Sequence, residues 1–240
     1  MMNDKILIVI PAFNEEKNIS ASISDLRKEF PDADIVVVND CSTDATVRVL
    51  NECGVDYLDL PVNLGYSGAV QTGIKYAKRN DYDYVIQFDG DGQHIASEAL
   101  KLYEKIKSSG ANIVIGSRFI EKTDYKHPFF RRLGTAFFAA MIRVITKTAI
   151  TDPTSGFQIL DRKTIDNYSQ PGQYPEFPDA NLIARMILDG YKVQEVSCSM
   201  RVRADGVSMH AGVMKPVKYA ISNFYSLVII AIGGVFTRKK

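Results

Sequence analysis

Two carboxylates, Asp89 and Asp91, stand at the end of an apolar run, Val85–Phe88, within the stretch YVIQFDGDGQH that spans 84–94. Residues i and i+2 of an extended chain project to the same side, so both acids can converge on one cation. Gly90 and Gly92 let the backbone turn tightly and approach a ligand closely. Oxygen ligands suit a hard ion, Mg²⁺ or Mn²⁺, of the kind that carries phosphates. Two plainer explanations fit less well. Asp-Gly marks many hairpin turns, but a hairpin has no need of two acids followed by Gln93 and His94. A calcium loop of EF-hand type counted from Asp89 requires glycine at His94 and glutamate at Leu100, and neither is there.

Such a pair needs a sheet edge to hold it, and the chain supplies the elements. Ile6–Ile10 is a short continuous apolar run, as expected of a strand covered on both faces. Ile19, Ile23, Leu26 and Phe30 then recur with helical spacing. Ile35–Val38 predicts a second strand. Ser42 or Thr43 can cap the helix after it, which carries Val47 and Leu50. Tyr57–Leu60 predicts a third strand. The turn NLGYSG (63–68) leads into a helix with Val70, Ile74 and Ala77. After the Asp89/Asp91 strand come a helix with Leu100, Tyr103 and Ile106, and a strand over 112–115 that ends in GSRF (116–119). Strands alternating with helices predict a Rossmann-like, mostly parallel α/β sheet flanked by helices. Ligands of such sheets sit beyond the carboxyl ends of the strands, and Asn14, Asp40, Asp89 and Arg118 all fall at such ends.

Bulk properties narrow the function. The 240 residues suffice for a sizeable core. A formal net charge of +1 gives no case for nucleic-acid binding. Cys41, Cys53 and Cys198 are odd in number and widely spaced, and read as reduced cytosolic thiols. Ile6–Ile10 is too short for a signal-peptide core. There is no GxGxxG after the first strand and no GxxxxGK[ST], which argues against dinucleotide dehydrogenases and P-loop NTPases.

The second half changes character. Phe129–Lys147 interleaves Phe129, Phe130, Phe137, Phe138, Met141, Ile142 and Ile145 with Arg131, Arg132, Arg143 and Lys147. A basic amphipathic helix of this kind suits either an anionic membrane surface or a core with solvated charges. The turn-rich DPTSGF (152–157) and YPEFPD (174–179) precede a helix with Leu182, Ile183, Met186 and Ile187. Val196, Cys198, Met200 and Val202 alternate with polar residues, predicting a strand with one buried face. Phe224–Phe236 is almost uninterrupted in apolarity and is followed by Arg238, Lys239 and Lys240. It is shorter than the ~20 residues of a spanning helix and reads as an interfacial or docking helix.

Taken together, VIPAFNEE (9–16), VNDCSTD (38–44), NLGYSG (63–68), FDGDGQH (88–94), GSRF (116–119) and DPTSGF (152–157) resemble a GT-A glycosyltransferase of family 2, in particular its polyprenyl-phosphate mannosyl- and glucosyltransferase branch. The likeness covers roughly Lys5 to Ser208. It implies a GT-A fold with a smaller antiparallel acceptor-side region, and binding of a UDP- or GDP-linked sugar. Pro11, Ala12, Asn14 and Glu16 would hold base and ribose. Asp40 would contact the base, and Asn63 and Gly65 would join the nucleotide site. Asp89 and Asp91 would be the DxD pair on the metal, with Gln93 as a further ligand or sugar contact. Arg118 and Arg131 or Arg132 match positions that grip an acceptor phosphate. Arg203 and Ser208 match an R-x-x-G-x-S segment that closes over the site, from which His210 could reach the metal or the diphosphate. The aligned candidate base is Asp179, with Glu176 as alternate.

The chain also departs from that pattern. Asn39 replaces the usual first Asp and Cys41 the usual Gly, while Asp40 stays. The larger polyprenyl-phosphate enzymes carry C-terminal spanning helices, and nothing in these 240 residues reads as one. The expectation is therefore an inverting transferase with a nucleotide-sugar-binding half (1–118), an acceptor-side half of the same domain (119–210) and a membrane-associated apolar and basic helix (211–240). It would sit peripherally on the cytoplasmic face of the membrane, against the inner leaflet, and act on a polyprenyl phosphate or lipid-linked glycan in cell-surface polysaccharide synthesis. A small integral membrane protein is a possible partner. The alternatives are a sugar-1-phosphate nucleotidyltransferase, whose G-x-G-T-R loop is lacking, and a silent nucleotide-sugar-binding module.

Overall fold

A computed structural model describes residues 4–121, 129–201 and 214–237, with side chains for all but 129–131, 214–217 and 234–237. The first half is a doubly wound α/β unit: β1 (Ile6–Ala12), α1 (Ile19–Glu29), β2 (Asp34–Asn39), α2 (Thr46–Cys53), β3 (Asp56–Asp59), α3 (Gly65–Arg79), β4 (Tyr84–Gln87), α4 (Ala96–Ser109) and β5 (Ile113–Ser117). Then come α5 (Phe129–Thr146), β6 (Gln158–Asp161), α6 (Arg162–Tyr168), α7 (Ala180–Leu188), β7 (Val193–Ser197) and α8 (Met214–Thr237).

One seven-stranded sheet runs β3-β2-β1-β4-β6-β5-β7. β1 lies parallel to β2 and β4, and β3 parallel to β2. β6 is antiparallel to both β4 and β5, and β7 is parallel to β5. The continuous apolar run of β1 is explained by cover on both faces. Ile6, Ile8 and Ile10 pack with Ile19, Ile23 and Leu26 of α1, whereas Leu7 and Val9 pack with Val70 and Ile74 of α3.

The predicted fold class holds, with three differences. β6 and α6 are elements that the turn-rich reading of 152–157 passed over; four residues in the middle of a sheet are too few to show a period. The strand expected over Val196–Val202 instead begins at Val193 and ends at Ser197, because its partner β5 ends at Ser117, which Ser197 faces. The NLGYSG stretch is mostly helix, since α3 already starts at Gly65.

The chain winds outward from β1 to β3 and then returns to place β4 on the other side of β1. The order therefore reverses between β1 and β4, and a crevice opens beyond their carboxyl ends. The two loops there span 13–18 and 88–95.

Candidate active site

At the end of β4 the ladder continues one step, with the Phe88 N–H donating to Val9 O at 3.0 Å. The turn then folds onto β1. A side chain on Gly90 would stand 3.3 Å from Pro11 O and 3.2 Å from Ile19 Cδ1, closer than such contacts normally come. Gly92 adopts φ +76°, a conformation that suits glycine. Asp91 Oδ1 accepts the Gln93 N–H at 3.0 Å, a local turn that fixes its carboxylate. Asp89 Oδ1 accepts the Tyr66 hydroxyl at 2.9 Å, and its backbone N–H donates to His94 Nδ1 at 2.9 Å.

His94 is buried, stacked on Phe157 at 4.4 Å between centroids and edge-on to Phe88. Burial pushes its pKa down to about 4, so it is neutral at physiological pH. With Nδ1 accepting, Nε2 carries the proton and lies 3.5 Å from Asp89 Oδ2. His94 thus orients Asp89, a role that its place in the sequence did not suggest.

The loop after β1 is tied to the loop after β2. Asn14, at φ 56°, accepts the Thr43 and Asp44 N–H groups on its side-chain oxygen. Glu16 Oε2 accepts the Ala45 N–H at 2.8 Å. Asp40, buried, accepts the Leu64 N–H at 2.6 Å, and its carbonyl accepts from the Asn63 side chain. Pro11, Ala12, Asn14, Glu16, Asp40, Asn63 and Gly65 are therefore one connected rim beside the Asp89–Asp91 turn. Asn39, at the position of the missing acid, donates to Asp59 Oδ1 at 2.6 Å. Cys41 adopts φ 60°, the left-handed conformation that glycine would take without strain.

The opposite wall comes from the second half. Ser67 donates to Pro175 O at 2.6 Å, pinning the YPEFPD segment to α3. Gly156 lets the Tyr66 ring pass: a Cβ there would stand 2.5 Å from its hydroxyl. Asp179, at the N-terminal end of α7, accepts a hydrogen bond from Tyr219 of α8, and burial raises its pKa to about 6 against that bond and the Arg118 charge. Glu176 instead is exposed and pairs with Lys218 at 3.1 Å. Arg118 is bidentate on Asp152, with Nε–Oδ2 at 2.6 Å and a second nitrogen on Oδ1 at 2.8 Å. Asp152 is fully buried and its N–H donates to Glu195.

Residues 7–169 match the family described as glycosyl transferase family 2. The chain belongs to that family. Relatives include an uncharacterised protein of Methanocaldococcus jannaschii, 35% identical over 156 residues that make up 65% of this chain and 64% of the relative. The UDP-N-acetylglucosamine–dolichyl-phosphate N-acetylglucosaminyltransferase of Methanococcus voltae is 25% identical over 98% of this chain and 99% of its own. The polyprenol monophosphomannose synthase of Mycolicibacterium smegmatis is 26% identical over 87% and 82%. Among solved structures, glucosyl-3-phosphoglycerate synthase of Mycobacterium tuberculosis, in complex with Mn²⁺, UDP and phosphoglyceric acid, superposes with a TM-score of 0.70 at 15% identity, covering 95% of this chain and 79% of that one. The fold is therefore GT-A.

For this family 2 chain the donors that the turn offers, two carboxylates with oxygen only, are of the kind that suits a hard divalent ion. Among the described residues no group of three or more Asp, Glu, His or Cys side chains is arranged to hold a metal ion. Gln93 sits in the same turn, and its carbonyl accepts the Arg201 N–H at 2.8 Å. Arg132 is exposed beside Phe119, Thr135 and Thr151 in a cleft of about 360 Å³. Arg203, Ser208 and His210 lie outside the described residues, as does the Arg131 side chain.

Proposed function

We propose that the chain is an inverting transferase that moves a sugar from a nucleoside-diphosphate sugar to a polyprenyl phosphate at a membrane surface. The observation that carries this reading is the Asp89–Asp91 turn at the β1/β4 switch point, with the connected Pro11–Glu16, Asp40 and Asn63 rim on one side and Asp179 across Tyr66 on the other. The names of the M. voltae and M. smegmatis relatives support the acceptor class.

In this reading residues 1–118 hold the nucleotide and the remainder faces the acceptor. Asp89 and Asp91, with Gln93 beside them, would hold Mg²⁺ or Mn²⁺, which supplies neutralising charge for the departing diphosphate. Tyr66 and His94 keep Asp89 aimed at that point. Asp179 is the proton acceptor. A phosphate monoester loses its second proton near pH 6, and a carboxyl raised to about 6 is matched to take that proton. The same carboxylate would serve a hydroxyl acceptor as general base. Arg118, held on Asp152, presents fixed positive charge to this wall, and Arg132 lines the cleft with Thr135 and Thr151.

No helix among the described residues is long and apolar enough to cross a membrane. Membrane seating is instead supported by an apolar surface on α5 and α8: Phe137, Ile221, Phe224, Ile229 and Ile232 are exposed, with the Phe137 and Phe224 rings 6.2 Å apart.

The test is turnover with UDP-, GDP- and dTDP-sugars, Mn²⁺ and polyprenyl phosphate. Transfer with release of nucleoside diphosphate is expected, and Asp91→Ala should lower it at least ~100-fold. Pyrophosphate release from a nucleoside triphosphate would favour a nucleotidyltransferase. Metal-dependent donor binding with no turnover would favour a silent module.

A further inference from the structure

The helix that bears the exposed apolar face also reaches into the catalytic wall. α8 carries Lys218 and Tyr219 on one turn. Lys218 pairs with Glu176 at 3.1 Å and lies 5.8 Å from the Phe177 ring centre. The Tyr219 ring packs edge-on against Phe177, centroids 5.5 Å apart, and against Phe138 of α5 at 6.4 Å. Its hydroxyl donates to Asp179. Three residues of the 176–179 segment are thus gripped from α8, while Ser67 of α3 holds Pro175 from the other side.

We propose that Tyr219 is a positioning residue for the transfer: delivered by α8, its hydroxyl holds the Asp179 carboxylate in orientation and in charge at the active site. The proposal rests on the reading of Asp179 as proton acceptor. Without Tyr219 the carboxylate would keep Arg118 as its favourable charge, opposed by Asp152, with the Tyr66 and Tyr174 hydroxyls nearby. The Glu176–Lys218 pair lies further out, at the surface. The sequence carries no mark of this link, since Tyr219 lies forty residues beyond Asp179 in an apolar helix with no motif of its own.

A hydrogen bond to the ionised form favours that form. Loss of the hydroxyl should therefore raise the Asp179 midpoint by about one pH unit. The test is carboxyl ¹³C NMR of aspartate-labelled full chain, with Asp179 assigned by the signal lost in Asp179→Asn, alongside kcat against pH with UDP-N-acetylglucosamine, the other sugar nucleotides and polyprenyl phosphate. In Tyr219→Phe the midpoint and the acidic limb of kcat should both move up. Turnover at pH 6 should fall roughly fivefold, with KM for the donor and the rate at pH 8.5 near wild type. Replacement of Tyr219 by 3-fluorotyrosine, nearly isosteric and a stronger donor, should move both downward, and it decides the matter if the Phe variant does not fold. Midpoints that stay in place in the folded variants, or a kcat lowered equally at every pH, would overturn the proposal. If Asp179→Asn turns over like wild type, the functional reading of Asp179 fails instead, whatever Tyr219 does to its midpoint.

Discussion

Asp179 is held at a cost. Burial raises its pKa from 3.8 to about 6. Between those values the folded chain binds more protons than the unfolded one, so this group weakens stability progressively as pH rises through the window. Asp179→Asn should accordingly unfold later than wild type at pH 8, by about 1–2 kcal/mol, with the gain gone below pH 4 and transfer abolished. Thermal unfolding at the two pH values together with an activity assay checks this. Cys41 is a second strained residue, with φ at 60° and a weak thiol contact to Pro61 O at 3.9 Å. Cys41→Gly should be more stable than Cys41→Ala by roughly 1 kcal/mol, since alanine keeps the left-handed strain that glycine relieves. Paired denaturant melts would measure the difference.

Among the elements, the loop between α5 and β6 ties the end of β5 to β7. Asp152 takes the Arg118 guanidinium in two bonds, Thr151 and Asp152 donate to Glu195 of β7, and Ser155 donates to Gly116 O. The charge of Arg118 is thereby fixed beside Asp179 rather than left free to follow a ligand. A buried ion pair broken from one side leaves an uncompensated charge, which costs about 3–5 kcal/mol. Asp152→Ala should therefore lower stability by that amount in chemical denaturation, and not merely slow transfer. A loss of activity with stability intact would mean that Asp152 serves the ligand alone.

Across the whole chain, α8 has two sides. Leu227 and Asn223 are buried against the body, and Ile221, Phe224, Tyr225, Ile229 and Ile232 face outward. Burying one such apolar side chain is worth about 1.5–3 kcal/mol. On the membrane reading, Ile221→Asp combined with Ile229→Asp should weaken binding to anionic vesicles at least ~100-fold in a sedimentation assay, with thermal stability little changed because both side chains are half or more exposed. Leu227→Asp, at a fully buried position, should instead unfold the protein.

Much was legible from residue order alone, for a physical reason: local period and turn chemistry are written within a few neighbours. The apolar run of β1 announced a strand covered twice, the spacing of Ile19, Ile23 and Leu26 announced α1, and the Asp-Gly pairs behind Val85–Phe88 announced a turn at a strand end. None of that required knowing which strands lie side by side. What depended on distant partners stayed hidden. β6 enters the middle of the sheet antiparallel because β4 and β5 leave a gap that its four residues fill. His94, an unremarkable histidine in the sequence, becomes the support of Asp89 only once Phe157 stacks on it. Along the chain Asp179 is the better aligned candidate base and Glu176 the alternate, three residues apart with nothing to tell their surroundings apart. They part because α8 draws Glu176 to the surface through Lys218 and closes Tyr219 over Asp179. Burial and charge depend on what the rest of the chain brings alongside, and that is set by the packing of segments far apart in sequence.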